Sequence, residues 1–328
     1  MVKDIFPGKS RFLFFLNQLQ AIIEKAESAD NITLSIYEQN ARTPLFMLEG
    51  LTRIYKKIHK KKKFSKLDIL FKDFEDRLGA IDYYDGFHKE FINDKRMPDL
   101  ITSYVNDKKE ESIKALQNDL EKDKWIGKHK KRIAKIIKKL NKIKWLNEKE
   151  DTREILLVYQ HYIDKVTEKY GTGHIHFTDL ENDVHEMRRE LRWLSIYPQA
   201  LQGLMQLTPQ TESQEILKKY ITPEIVKSRF NVMPNGSGLQ DHITINRNYF
   251  YGLSWIIAEL GKLKDSALKI DLIEESIIAV YKPSGHTQQL AYSFCDESQL
   301  TISEILDHSQ KIAQTFFDEN ILEHLICK

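Results

Sequence analysis

Apolar residues recur at every third or fourth position along most of this 328-residue chain, and this spacing constrains the fold more than any other feature. It is the spacing of helices that bury one side. Turn residues are scarce, since the chain has only 13 glycines and 8 prolines, whereas a fold of many short strands needs many turns. The sequence therefore predicts an all-α protein of about eight or nine helices.

Short polar breaks separate the predicted helices. The main patterns cover residues 10–27, 35–63, 66–92, 107–145, 150–170, 251–281 and 302–325. Pro44 lies inside the second pattern and should open that helix at its first turn or kink it, because proline lacks an amide hydrogen. Thr178 or Asp179 is the expected cap of the helix that carries residues 184–193. Residues 205–248 lack helical spacing, which predicts an irregular insertion with some strand-like alternation.

The segment VHEMRRELRW, residues 184–193, carries cations at helical spacing. His185, Arg188, Arg189 and Arg192 fall at i, i+3, i+4 and i+7, within an arc of about 100°. Arginine suits phosphate because its planar guanidinium donates two parallel hydrogen bonds. The segment therefore predicts a basic ridge that binds anions, and ion pairing with carboxylates of the bundle is the structural alternative.

Positive charge is clustered, because 50 Lys and Arg balance 48 Asp and Glu to leave a net charge of only +2. The most basic part of the chain is residues 107–145, where Lys131 and Lys135 lie beside an apolar face. Lysines of this kind solubilise many helix surfaces, and attraction to nucleic acid or to an anionic membrane surface is the alternative. The run KKIHKKKK, residues 56–63, has the same alternatives. It fits a helix C-terminus, whose lysines would offset the backbone dipole, equally well.

The segment VHEMRRELRWL resembles the signature of CHAD domains (conserved histidine α-helical domains), in which a histidine is followed at helical spacing by several Arg or Lys on one face. Residues 260–265, LGKLKD, resemble the leucine-glycine turn, ending in aspartate, that follows the basic helix in each half of such domains. Residues 78–82, LGAID, are similar to it, downstream of Arg42 and Arg53.

This resemblance implies two similar helical bundles packed together and the binding of inorganic polyphosphate. It places the first half in residues 1–148 and the second in 149–328, with the insertion at about 205–248. In the first half, the histidine and the first arginine of the motif fall on Tyr37 and Asn40. The predicted polyanion-binding residues are His185, Arg188, Arg189 and Arg192, with Arg42, Arg53, Lys56, Lys131 and Lys135 as further candidates.

We therefore expect a non-enzymatic protein that binds a linear polyanion along basic helix faces lining a cleft, without a cofactor or a metal. The main alternative is a helical scaffold whose basic faces meet nucleic acid or an acidic protein. A polyphosphate site should bring the ridges of both halves to one cleft, whereas a scaffold can leave them on separate surfaces. A metal-dependent hydrolase would need His174, His176 and His185 to converge. An HExxH zinc motif is excluded because Arg189 replaces its second histidine.

The remaining features favour a cytoplasmic protein. Cys295 and Cys327 are too few for a disulfide framework and lack the spacing of metal ligands. No apolar run approaches the roughly 18 residues that a membrane span needs. The first residues show no clean cleavage site after their short apolar patch.

Overall fold

The computed structural model describes residues 6–171, 173, 175–210, 212–282 and 285–327. The protein is 72% helical, with two short strands in the part of the chain so described. The predicted all-α class is therefore confirmed, although the described residues form twelve α-helices rather than eight or nine.

Seven helices precede the cationic segment. They are α1 (Pro7–Ala26), α2 (Ile32–Glu38), α3 (Arg42–Ile58), α4 (Lys61–Phe91), α5 (Asp99–Lys122), α6 (Arg132–Leu140) and α7 (Glu148–Tyr170). Helix α3 packs against both α1 and the long α4, and α4 returns along α5. The first half of the chain is thus a bundle in which α3 is the central helix.

Two of the long predicted helices are interrupted, the first at residues 39–41 and 59–60 and the second at residues 123–131. Asn40 takes a φ of 58° between α2 and α3, and Lys124 takes a φ of 65° after α5. Such left-handed residues commonly end helices. The predicted helix over residues 35–63 is therefore divided among α2, α3 and the start of α4. Pro44 lies in the first turn of α3, so it opens this helix and does not kink it, which is one of the two predicted outcomes.

The cationic segment begins with a π-helical turn and continues as a regular helix. The turn covers Leu180–His185, and α8 follows as Glu186–Ala200. The Asp179 carboxylate accepts a hydrogen bond from the Asn182 amide at 2.6 Å, so Asp179 is the cap that the sequence offered beside Thr178. Pro198 lies within the last turn of α8.

The remaining elements include the only two strands of the described ranges. They are β1 (Met205–Leu207), a 3₁₀ turn (Glu215–Tyr220), α9 (Pro223–Val226), a 3₁₀ turn (Arg229–Asn231), β2 (Ile243–Ile245), α10 (Arg247–Tyr281), α11 (Thr287–Ser293), α12 (Ile302–Asp318) and a 3₁₀ turn (Leu322–His324). Strand β1 pairs in parallel with β2, with Met205 opposite Ile243. The segment between α8 and α10 is therefore folded against the bundle, in agreement with its predicted irregular character.

Buried apolar residues form two separate cores. The larger core joins α1, α3, α7, α8 and the N-terminal part of α10. A smaller core lies where the C-terminal ends of α4 and α10 meet α5 and α11, and it contains Phe91, Ile101, Ile273 and Ala291. The long helices α4 and α10 thus extend from the main core into a second one.

A buried polar network links the beginning, the middle and the end of the main bundle. The Arg11 guanidinium donates to the Asp151 carboxylate at 2.5 Å and to the Tyr55 hydroxyl at 2.7 Å, and its Nε donates to the Leu201 carbonyl at 3.0 Å. The Tyr55 hydroxyl donates in turn to Asp151 at 2.9 Å. Each buried charged group therefore has a partner where α1, α3 and α7 meet, and removal of one partner would leave the other charge buried and unpaired.

Among the described helices, none has a stretch both long and apolar enough to cross a membrane.

Candidate polyanion-binding cleft

A cleft of about 770 Å³ opens where α3, α8 and α10 meet. The α2 helix and the C-terminal part of α4 lie at one end of it, and residues 225–230 lie at the other. Its cationic lining includes Arg42 from α3 and Arg188 and Arg192 from α8. The structure therefore brings arginines from two separate parts of the chain to one opening.

Arg188 lies across the face of α10. Its Nε donates to the Ile257 carbonyl at 3.0 Å. A Cβ on Gly261 would come within 2.9 Å of Arg188 Nη2, so a glycine is needed there for the guanidinium to lie flat on the helix. Burial lowers the pKa of Arg188, and Asp265 opposes this only partly. Among the described residues, no carboxylate comes within ion-pair distance of Arg188.

Arg192 lies one turn further along α8 and stacks on Phe46 of α3, with its Cζ 4.3 Å from the ring centroid. Within the described ranges, its guanidinium has neither a carboxylate at ion-pair distance nor a hydrogen-bond acceptor. Burial first, and then the positive charges of Arg188 and Arg42, lower the pKa of Arg192 to about 10. A half-buried cation without a partner is unfavourable, so a bound anion would be stabilised at this position.

Arg42 occupies a similar position on α3 but is neutralised. Its Nε and Nη2 donate to the Glu75 carboxylate at 2.8 and 2.6 Å, and its Nη1 pairs with Asp82. A Cβ on Gly79 would lie 3.3 Å from Arg42 Nη2, so this guanidinium also crosses a glycine of the following long helix. Arg42 therefore contributes a hydrogen-bonding surface to the cleft but little net positive charge.

His185 ends the π-helical turn, one turn before Arg188. Its Nδ1 is buried without a hydrogen-bond partner in the described structure and lies 3.7 Å from Glu181 Oε2. Burial lowers the pKa of His185; Glu181 opposes this, whereas Lys264, Arg189 and Arg188 add to it. These surroundings favour the neutral imidazole in the free protein. π-Helical turns are rare and often mark functional sites.

His185 is not among the residues that line the cleft, and the remaining predicted residues lie outside the lining as well. Arg189 is half exposed and pairs with Glu186. Arg53 pairs with Glu49 at 2.8 Å and stacks on Trp193, with its Cζ 4.1 Å from the ring centroid. These two arginines are held by partners within the bundle.

Lysines complete the set of predicted residues. Lys56 pairs with Asp68 at 2.7 Å. Lys131 and Lys135 are exposed at and near the start of α6, which packs on α1, and they do not line the cleft. Burial and the surrounding cations, Lys131 among them, lower the pKa of Lys135. The basic surface of α6 is thus separate from the cleft.

Sequence patterns did not indicate three lining residues. Lys89 reaches the cleft from α4 and pairs with Asp85 at 2.6 Å. Arg229 and Phe230 line the opposite end, where the Arg229 Cζ lies 5.0 Å from the Phe230 ring centroid. The pair lies in the irregular segment, where no periodicity exists to suggest a shared face. The only feature of the sequence that could have indicated this pair is a cation, Arg229, directly followed by an aromatic residue, Phe230.

The metal-site alternative depended on His174, His176 and His185. His174 lies outside the described residues. Those that are described contain no group of three or more His, Cys, Asp or Glu side chains placed to hold a metal ion.

Comparisons with family models, curated proteins and solved structures find no match to this chain. The resemblance to CHAD domains therefore rests on the sequence segments 184–194, 260–265 and 78–82 alone.

Proposed function

We propose that this protein is a non-enzymatic polyanion-binding protein whose ligand is inorganic polyphosphate, bound in the cleft between α3, α8 and α10. The observation that carries the proposal is the pair of half-buried arginines, Arg188 and Arg192, which have no carboxylate partner among the described residues. A phosphate group would supply the counter-charge and the hydrogen-bond acceptors that they lack.

The position of these arginines supports a binding role over a structural one. A structural arginine in this protein has its partners, as Arg11 does with Asp151 and Tyr55. Arg188 and Arg192 lie close to each other, so each raises the cost of the other's charge. Like charges held together in a cleft focus the potential and attract anions.

The contacts with glycine support the resemblance to CHAD domains. Arg42 crosses Gly79, and Arg188 crosses Gly261. Both glycines belong to the leucine-glycine segments on which the resemblance was based. We propose on this basis that the two parts of the chain are divergent copies of one helical unit, and that the first copy has lost most of its free charge.

The test is calorimetric titration with medium-length polyphosphate at two salt concentrations. The variant Arg188→Gln/Arg192→Gln should bind roughly 100-fold more weakly, because hydrogen bonds to charged groups contribute about 1.5–3 kcal/mol each. The control variant Lys131→Gln/Lys135→Gln removes the same charge from the exposed start of α6 and should change affinity by at most about fivefold.

The two variants separate this function from the scaffold alternative. Equal losses in both would mean that polyphosphate follows overall charge and has no site in the cleft. A loss confined to the α6 variant would favour a scaffold whose basic α6 surface meets nucleic acid or an acidic protein. Thermal unfolding of each variant shows whether the fold is intact, and the cleft variant should be as stable as the parent because it removes buried, unpaired charge.

A further inference from the structure

The cleft-facing side of α8 changes its chemistry along the helix. Arg188 and Arg192 lie towards its N-terminal end, whereas Ser195, Ile196 and Gln199 lie towards its C-terminal end. The row from Arg188 to Gln199 is about 16 Å long, at 1.5 Å per residue. Only the first part of this length offers positive charge from α8.

A wall of two apolar residues, Ile225 and Phe230, interrupted by Ser228 and Arg229, faces the uncharged part of the row. Ile225 and Phe230 line the cleft there, and Phe230 is 62% exposed. The wall is fixed in place, because the Gln199 amide donates to the carbonyls of Phe230 and Val232, both at 3.0 Å. Phe230 is therefore an exposed aromatic ring on an anchored backbone.

Buried hydrogen bonds hold the same segment from behind. The Asn231 side chain is buried and donates to the Ile225 carbonyl at 2.8 Å. Ser254 of α10 donates to the Asn231 side chain at 2.5 Å. The ring thus needs little rearrangement to receive a ligand, which lowers the entropic cost of binding.

An inorganic polyphosphate matches the arginine end of this lining better than the other end, where Arg229 is the one cation among the described lining residues. Phosphate groups lying against Ile225 and the Phe230 ring would lose water without gaining hydrogen bonds from them. A ligand with phosphates at one end and a flat apolar ring at the other would match both parts. A ring stacked on an exposed aromatic side chain contributes about 1–3 kcal/mol in nucleic-acid complexes. The volume of about 770 Å³ lies in the range of small-molecule sites.

We infer that the cleft binds an organic phosphate that carries a flat aromatic group, such as a nucleoside polyphosphate, with its phosphates on Arg188 and Arg192 and its ring on Phe230. This inference rests on the proposed function, because the same arginines hold the phosphates. It makes Phe230 the residue that distinguishes an organic from an inorganic polyphosphate.

The experiment compares adenosine triphosphate with inorganic tripolyphosphate by calorimetry, in buffer with a chelator so that no divalent cation shields the phosphates. Tripolyphosphate is the more highly charged, so charge alone favours it. The parent protein should nevertheless bind adenosine triphosphate at least about fivefold more tightly, the lower end of the stacking contribution. Phe230→Ser should remove this preference, because it should lower the affinity for adenosine triphosphate much more than the affinity for tripolyphosphate.

Phe14 provides a matched control, since it is a 45% exposed phenylalanine on α1 outside the cleft. Phe14→Ser should leave both affinities as in the parent. If tripolyphosphate binds as tightly as adenosine triphosphate, or if the preference survives Phe230→Ser, the inference is wrong while the proposed function stands. If neither ligand binds and medium-length polyphosphate does not bind either, the proposed function itself fails.

Discussion

Helices α3 and α8 each lay an arginine across a glycine of a long helix, but the two arginines differ in what surrounds them. Arg42 crosses Gly79 of α4 and is neutralised by two carboxylates. Arg188 crosses Gly261 of α10 and donates only to a backbone carbonyl. Similar backbone contacts therefore present one arginine that is already paired and one that is available to a ligand.

One helix position contributes directly to this difference. The residue four places before the glycine lies one turn away on the same face of the long helix. It is Glu75 before Gly79, and Ile257 before Gly261. A carboxylate at this position neutralises the crossing arginine, whereas isoleucine leaves only its carbonyl as an acceptor. The comparison is tested directly by adding a carboxylate at position 257 and by removing the negative charge at position 75.

The largest effect is expected from Ile257→Glu, which would give Arg188 the partner that Arg42 already has. The new carboxylate would pair with Arg188 and repel phosphate, so polyphosphate affinity should fall roughly 100-fold, since unfavourable charge contacts cost several kcal/mol. Calorimetric titration measures the change. Ile257→Gln is the matched control, because it has nearly the same shape as Glu and no charge. Equal affinities of the two variants would show that Arg188 does not hold the ligand.

A smaller and opposite effect is expected from Glu75→Gln. Glu75 is buried against Arg42 and also offsets part of the positive charge on Arg192. Removing its charge should release Arg42 to the cleft and tighten polyphosphate binding about fivefold, the size of one modest charge contact. Asp76→Asn is the control, since Asp76 is the next residue of α4, is exposed and pairs with Lys72. Weaker or unchanged binding by a folded Glu75→Gln protein would contradict the idea.

The smallest effect concerns His185, which ends the π-helical turn one turn before Arg188. Its pKa is lowered in the free protein, by burial first and also by Lys264, Arg189 and Arg188, with Glu181 opposing. A bound anion raises the pKa, so binding takes up a proton. Affinity should therefore rise as the pH falls through the pKa of the complex and level off below that of the free protein.

We expect this rise to be about threefold between pH 7.5 and 5.5, the size of one weak charge contact. Phosphate groups also titrate in this range, so the measured quantity is the difference between the parent and His185→Gln. His161→Gln is the control, because His161 is exposed on α7 away from the cleft. The same pH profile in all three proteins would exclude His185 from the site.

The sequence was sufficient for the fold class and for part of the site. Helical spacing predicted the all-α architecture, and the spacing of Arg188 and Arg192 placed them on one face of α8. The helix breaks escaped prediction because they depend on the left-handed conformations of Asn40 and Lys124, which periodicity does not encode. Arg189 belonged to the predicted ridge, but it follows Arg188 by about 100° around the helix and pairs with Glu186 instead of lining the cleft.

Other parts of the site depended on distant contacts. The pairing of Arg42 with Glu75 joins residues on two helices, and no local pattern reveals which carboxylate reaches which cation. Phe230 reaches the cleft from a segment without periodicity. Lys131 and Lys135 fit a basic face on sequence, but the packing of α6 against α1 directs that face elsewhere. Local spacing thus specified faces, and tertiary packing decided which faces meet.

The two separate cores imply that the chain does not unfold as one cooperative unit. Helix α10 has 35 residues and is about 52 Å long, and this one continuous helix contributes residues to both cores. The smaller core buries far fewer apolar side chains, and its end of the helix should fray open at a lower free energy than the rest. Amide protons at that end report this local opening, whereas those beside Gly261 report the integrity of the cleft.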